Sequence, residues 1–259
     1  MKTSTLIVLA LSAGLAACGS NPLGDSSRLN PSPSPSPSPS PSPSPSPAPS
    51  VSVNGRYLNI DKDSYAKIAG DAQQITAGSR PLNSLVIGPV TINILPDGET
   101  AEGNGRYAGR ATDGSRREVA GLNYVHTRFG YAYNAGIGNG YMFAQGEDAT
   151  NIPAAGTAHY SGNAVHASNG ALERGTVALA VDFSSRTING QVSLPGRGNV
   201  ASLNGVFEGP SGFKNDPANP PADAKFNGSF YGPQAAELGG VYYKDGVNGY
   251  SGAFGAQKQ

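Results

Sequence analysis

Few side chains in this sequence can carry chemistry, and their spacing limits what that chemistry is. There is one cysteine, Cys18, and there are three histidines, His126, His159 and His166. One sulfur permits neither an internal disulfide nor a Cys-based zinc site, since both need at least two. His159 and His166 are seven residues apart, so on a regular strand they face opposite sides and cannot chelate together. Haem ligation by a single histidine is the one cofactor chemistry left open, and no cofactor is expected. The patterns G-x-S-x-G, H-E-x-x-H and G-x-x-x-x-G-K-[ST] are absent. Gly136-Ile137-Gly138-Asn139-Gly140 sits between Tyr133 and Tyr141 with no helix to follow, which suits a hairpin loop better than a phosphate cradle. The expectation is a protein that is not an enzyme.

Binding chemistry has better candidates. Residues 209–223 form an unusually long hairpin connection that displays Phe213 and Lys214, a pair suited to a protein contact. A tyrosine-rich segment, Tyr124, Tyr131, Tyr133 and Tyr141, carries Arg128, and Tyr and Arg are the residues that most often anchor interfaces. The competing reading is a variable loop in the first case and ordinary strand packing in the second.

Cys18 has its own chemistry. Residues 1–17 read as an export signal, with Lys2 at the start, the apolar run Leu6 to Leu11, and small residues before the cysteine. Leu15-Ala16-Ala17-Cys18 resembles a bacterial lipobox, in which the thiol takes a diacylglycerol; an incidental cysteine after an ordinary signal is the alternative. At about 0.8 kcal/mol per buried acyl CH₂, two or three chains would hold the protein on a membrane. The absence of Asp at Gly19 suggests sorting to an outer membrane.

The elements that must position these residues follow from composition. Ten of the 21 prolines lie between Pro31 and Pro49, in a Ser-Pro alternation broken only by Ala48. Such a segment is extended polyproline II, and at this rise it reaches roughly 60 Å as an uncharged tether. Residues 51–259 hold 33 of the 36 glycines, which disfavours long helices. Charge is balanced at 18 basic against 18 acidic residues, so a nucleic-acid partner is not expected.

Strand signals run through the body: Leu85–Ile87, Val90–Leu95, Val119–Tyr133, Tyr141–Gln145, then a denser series from Thr157 to Ala256 separated by tight turns such as Ser168-Asn169-Gly170. In Thr176–Phe183 the residues Val177, Leu179, Val181 and Phe183 share one face. Five strands repeat an apolar residue, Asn or Ser, Gly, any residue, then an apolar one: Tyr160–Ala164, Ile188–Val192, Leu203–Phe207, Phe226–Phe230 and Tyr250–Phe254. Each offers large, none, large to one face. Interior glycine weakens a strand, so the recurrence suggests a small barrel whose glycines make room for rings from the strands opposite. Seven strands from Thr157 onward with Tyr141–Gln145 make eight. The fold class expected is all-β: a C-terminal eight-stranded antiparallel barrel with an N-terminal β-sandwich-like handle. The organisation expected is signal 1–17, lipidated Cys and tether 18–50, handle 51–150 and barrel 151–259.

The stretch Phe226 to Gly240, followed by Gly252-Ala253-Phe254-Gly255-Ala256, closely resembles the barrel ending of the transferrin-binding protein B family. Gly156-Thr157-Ala158-His159-Tyr160-Ser161-Gly162 and Val181-Asp182-Phe183 with Ile188-Asn189-Gly190 resemble its opening strands. The resemblance implies a surface lipoprotein of a Gram-negative bacterium, anchored in the outer membrane and exposed on the cell face. It also implies a host iron or haem carrier as partner, such as haemoglobin or transferrin, and an outer-membrane transporter to receive the cargo. The full transferrin receptor lipoprotein has two lobes, and this chain has length for one. Single-lobe relatives include haemoglobin-haptoglobin utilisation lipoproteins, haem scavengers of the hemophilin type and factor H binding proteins; the last keep an immune-evasion role, through a complement regulator, as the alternative.

Overall fold

The computed structural model describes residues 52–76, 78, 80–219 and 224–259. The signal, Cys18 and the Ser-Pro tether lie outside the described residues, as do residues 220–223 of the long connection. The described chain is built from sixteen strands. Eight make the handle: β1 (Val53–Ile60), β2 (Gln73–Ile75), β3 (Ser84–Ile87), β4 (Val90–Asn93), β5 (Tyr107–Arg110), β6 (Arg116–Ala120), β7 (Thr127–Tyr133) and β8 (Gly140–Glu147). Six of them form one antiparallel sheet in the order β2-β1-β8-β7-β6-β5, and β3 and β4 pair as a separate hairpin. The stretch expected as one strand from Val119 to Tyr133 is broken by Gly121, whose φ of +78° turns the chain between β6 and β7.

The remaining strands are β9 (Thr157–Ser168), β10 (Ala171–Asp182), β11 (Thr187–Leu194), β12 (Gly198–Glu208), β13 (Gly212–Asn215), β14 (Lys225–Tyr231), β15 (Glu237–Lys244) and β16 (Tyr250–Lys258). Each pairs antiparallel with the next, and β16 returns to β9, closing the barrel and leaving no open edge. The count of eight is met, but not by the expected strands. Tyr141–Gln145 lies in β8 of the handle sheet, where it pairs with β1 and β7. The eighth barrel strand is β13, inside the segment read as a loop. Four residues between Gly-Pro-Ser and Asp-Pro are too few to display an alternation, and only closure of the sheet reveals the strand.

Three cores hold the layers together. The barrel interior is packed by Tyr160, Ile188, Leu203, Phe213, Phe226, Phe230 and Phe254, all buried. Of the repeat's apolar positions, those on β9, β11, β12, β14 and β16 all reach this interior, as the period of two requires. Three of the five repeat glycines, Gly205, Gly228 and Gly252, make room for rings of the barrel, on strands one or two along the sheet instead of opposite ones. A Cβ on Gly228 of β14 would overlap the Phe213 ring of β13, and one on Gly252 of β16 would overlap the Tyr242 ring of β15. The second core joins handle to barrel: Leu58, Phe129, Tyr131 and Met142 of the sheet meet Val165, Val241, Tyr243 and Ala253 on the barrel's outer wall. The third lies on the sheet's other face, where Leu85 and Ile92 of the β3-β4 hairpin cover Val119, Tyr141 and Phe143.

Polar clamps complete the seam between handle and barrel. Arg174 of β10 grips Glu102 with two bonds of 2.9 and 2.8 Å and Glu118 with one of 2.7 Å. Glu237 of β15 accepts the backbone N–H groups of Val125 and His126 at 2.9 and 3.0 Å, closing the β6-β7 connection onto the barrel. Charged groups bonded in this way are tolerated at an interface that would otherwise exclude them.

Candidate binding surface

The strands of handle and barrel share two ends. The chain enters the handle at Ser52, whose carbonyl accepts the Asp148 N–H at 3.0 Å, and Asp148 bridges Tyr231 at the close of β14. This proximal end also carries the turns after β10, β12 and β14. Because β1 runs from Val53, opposite Glu147, to Ile60, opposite Gly140, the other end of the sheet holds the connections 61–72, 111–115 and 134–139. The barrel contributes to this distal end its turns at Asn169-Gly170, Pro195–Arg197 and 245–249, with the connection after β13. Lys67 ties the two together, with its Nζ 2.9 Å from Asp245 Oδ1 and 4.5 Å above the Tyr243 ring, and Tyr243 Oη bonds Asp71.

Of the residues expected to bind, the structure disperses the set. Phe213 is not displayed: it is fully buried on β13, with Phe230 at 5.3 Å, Phe226 at 6.0 Å and Phe254 at 6.4 Å between ring centroids. Lys214 follows it on the outer wall, half-buried, and pairs with Glu208 at 2.6 Å, which Arg56 of the handle also approaches at 3.5 Å. Both residues therefore build the barrel and its seam instead of a loop tip. Tyr131 is fully buried against the barrel wall, edge-on to Tyr65 at 5.3 Å, and burial pushes its phenol well above its ordinary range. Arg128 lies on the opposite face of β7 and near the proximal end. Its Nη1 donates to the carbonyls of Gly121, Tyr124 and Thr127, bracing the β6-β7 connection. Tyr124 is buried, its phenol pushed up to about 12 by burial, and Tyr141 is buried under the β3-β4 hairpin. Tyr133 alone of this group reaches the distal surface, where it borders a small cavity with Lys62, Arg110 and Arg116.

The histidines separate as the spacing required. His126 bonds Glu147 at 2.8 Å in the β6-β7 connection; burial pushes the Glu147 carboxyl up, but its bonds from Arg80 and His126 outweigh this and hold it below the usual range. His159 is exposed on the outer wall, and His166 is buried inside the barrel mouth. No group of three His, Cys, Asp or Glu able to hold a metal occurs among the described residues.

Residues not anticipated mark the distal end instead. Among the described residues the exposed large hydrophobic side chains are Ile68 at 36 %, Val125 at 60 % and Val247 at 91 %. Ile68 and Val247 lie on the two distal connections joined by Lys67 and Asp245, with Arg116 stacked 5.1 Å from the Tyr65 ring centre nearby in the handle, whereas Val125 lies in the β6-β7 connection at the proximal end. An apolar tip ringed by paired charges is the composition of an interface that excludes water at its centre. A signal was present in the sequence: Val247 stands within Asp245-Gly246-Val247-Asn248-Gly249, where turn residues leave an apolar side chain nothing to bury against.

Comparison with known proteins bears on this architecture. Residues 152–258 match the family described as the C-lobe and N-lobe β-barrels of Tf-binding protein B. Among solved structures, a mutant of the vaccine antigen transferrin-binding protein B from Haemophilus parasuis Hp5 superposes with a TM-score of 0.57 at 20% identity, covering 80% of this chain and 45% of that one. The isotype 1 protein from serogroup B Neisseria meningitidis gives 0.57 at 18% identity, covering 80% and 44%. Intact Ap-TbpB, with N and C lobes, gives 0.55 at 20% identity, covering 80% and 46%. At these identities the likeness is one of fold, and the chain spans less than half the length of these relatives. No curated protein matches the sequence. Residues 152–258 thus form a β-barrel domain similar to those of Tf-binding protein B.

Proposed function

We propose that this is a surface lipoprotein, held in an outer membrane by acyl chains on Cys18, that captures a host iron or haem carrier and yields it to an outer-membrane transporter. The chain acts by binding and not by catalysis. The observation that carries this reading is the family match of the barrel, residues 152–258, to a domain of a transferrin-binding protein. The two ends of the molecule give it a geometry. In the chain the tether precedes Ser52, which lies at the proximal end of the body, and the connections bearing Ile68 and Val247 lie at the distal end. They form the docking face. Signal 1–17, lipidated tether 18–50, handle 51–150 and barrel 151–259 are the divisions this role needs.

The test is capture from serum by the full chain in detergent micelles, read by mass spectrometry against transferrin, haemoglobin and haptoglobin-haemoglobin. Retention of one of these is expected. Retention of none of them, or of a complement regulator such as factor H in their place, overturns the reading. Labelled palmitate is expected to enter the wild-type protein and not Cys18→Ser.

A further inference from the structure

We infer that the outer edge of β5 is a strand-addition site for an extended segment of a partner protein that carries an acidic residue. In the handle sheet β5 is terminal, and among the described strands it pairs with β6 alone. The Ala111 N–H donates to the Ser115 carbonyl at 2.9 Å, which fixes the alternation of the ladder. Gly109 and Tyr107 then bond across to Arg117 and Val119, while the N–H and C=O groups of Ala108 and Arg110 point away from β6. Both residues are exposed, and these outward groups have no partner among the described residues. Such an edge is a template on which another chain can pair.

The ground beside the edge is shaped to receive side chains. A cavity of about 370 Å³ runs along it, lined by β5 itself with Asn93, Pro96, Arg117 and Asn134. Its room comes from Gly109: a Cβ there would overlap the Tyr107 phenol, so the ring lies across the strand and no side chain stands beyond it. An added strand sends successive side chains to opposite faces. The residue opposite Gly109 enters the cavity, and the residue opposite Arg110 goes to the other face.

Charge on that other face selects the occupant. Arg110 and Arg116 stand directly opposite each other, a like-charge pair that weakens a sheet. Arg116 donates to the Tyr65 hydroxyl, and Arg110 has no side-chain partner among the described residues. The carboxylates at hand are engaged elsewhere: Asp63 with Lys62 at 2.6 Å, Glu118 with Arg174 at 2.7 Å, and Asp113 with the Ser115 N–H at 2.8 Å and hydroxyl at 3.0 Å. Glu99 lies beside Tyr107, at the other end of the strand. A carboxylate brought opposite Arg110 by a new strand would relieve the repulsion. A second copy of this chain, pairing β5 on β5, would instead add its own Arg110 and Arg116 to the same face. At the sheet's opposite edge β2 has three residues and no cation. The site goes beyond the capture of a host carrier and does not rest on it.

The test uses the full chain in detergent micelles with the capped peptide Ser-Thr-Val-Glu-Val-Thr-Ser, whose Glu can face Arg110 while a Val enters the cavity, and its counterpart with Lys for Glu. The readout is hydrogen exchange and ¹⁵N shift at the Ala108 and Arg110 amides. The Glu peptide is expected to shift both saturably and slow their exchange, and the Lys peptide to bind about fivefold or more weakly. Arg110→Glu, at an exposed position, should reverse that order. Ala108→Pro removes an outward N–H, which an edge strand tolerates, and should abolish binding. No protection of the two amides by either peptide, the same ranking in Arg110→Glu, or wild-type affinity in Ala108→Pro overturns the assignment. Protection that grows with protein concentration in the absence of peptide would name a second copy as the occupant and overturn it equally. Because the probes are free peptides, the answer is separate from whether serum proteins are retained.

Discussion

Replacing Phe213 by alanine separates a residue that closes a barrel from one that greets a partner. The side chain is fully buried, and its neighbours Phe226, Phe230 and Phe254 stand on strands whose backbones are locked by pairing on both sides. They cannot collapse into the space, and Gly228, directly beneath the ring, has no side chain to fill it. Truncations of buried Phe cost about 3–5 kcal/mol, and poor collapse places this site toward the upper part of that range. For a chain of this size each kcal/mol moves the midpoint by roughly 2–4 °C, so Tm should fall by about 6–20 °C. Lys214→Ala, next along the strand, removes a partly exposed ion pair and should cost less than about 1 kcal/mol. Differential scanning calorimetry of the two variants checks this. A Phe213→Ala protein as stable as wild type that no longer captures its serum partner would show the ring to be displayed, and would refute the placement of β13 in the barrel.

Glu237→Ala leaves the Val125 and His126 N–H groups without their acceptor and should destabilise by about 2–5 kcal/mol, with faster hydrogen exchange at those two amides. Unchanged protection there would mean the clamp is idle. Stability should depend on pH through His166. Its folded pKa lies near 4, below the ordinary 6.5, so the unfolded chain binds the extra proton between them. The contribution is present above about pH 6.5 and is lost as pH falls toward about 4, by about 3 kcal/mol in all. Urea midpoints across this window should be flatter for His166→Gln, and parallel curves would contradict it. Val247→Asp alters a side chain 91 % exposed, so stability should stay within about 0.5 kcal/mol while serum capture drops at least tenfold. Undiminished capture would move the docking face elsewhere.

Local pattern determined much of this protein. Glycine content disfavoured long helices in residues 51–259, a period of two set the inward faces of β9, β11, β12, β14 and β16, and the Gly-centred repeat announced a barrel before any strand was paired. These are properties of a strand and its own side chains, so they can be read one segment at a time. Which strands close the barrel was a different matter. Tyr141–Gln145 and Gly212–Asn215 exchange roles because closure is a condition on all eight strands together, and a four-residue strand carries too little pattern to announce itself. The binding candidates are dispersed for the same reason. Tyr131, Tyr133 and Arg128 are close in sequence, yet alternation sends Arg128 to the opposite face of the sheet and buries Tyr131 against a wall formed more than thirty residues later. Ile68 and Val247, far apart in the chain, come to one end only because the handle sheet packs along the barrel. Residue type is local, but exposure and neighbourhood are consequences of packing, and only the tertiary structure could decide them.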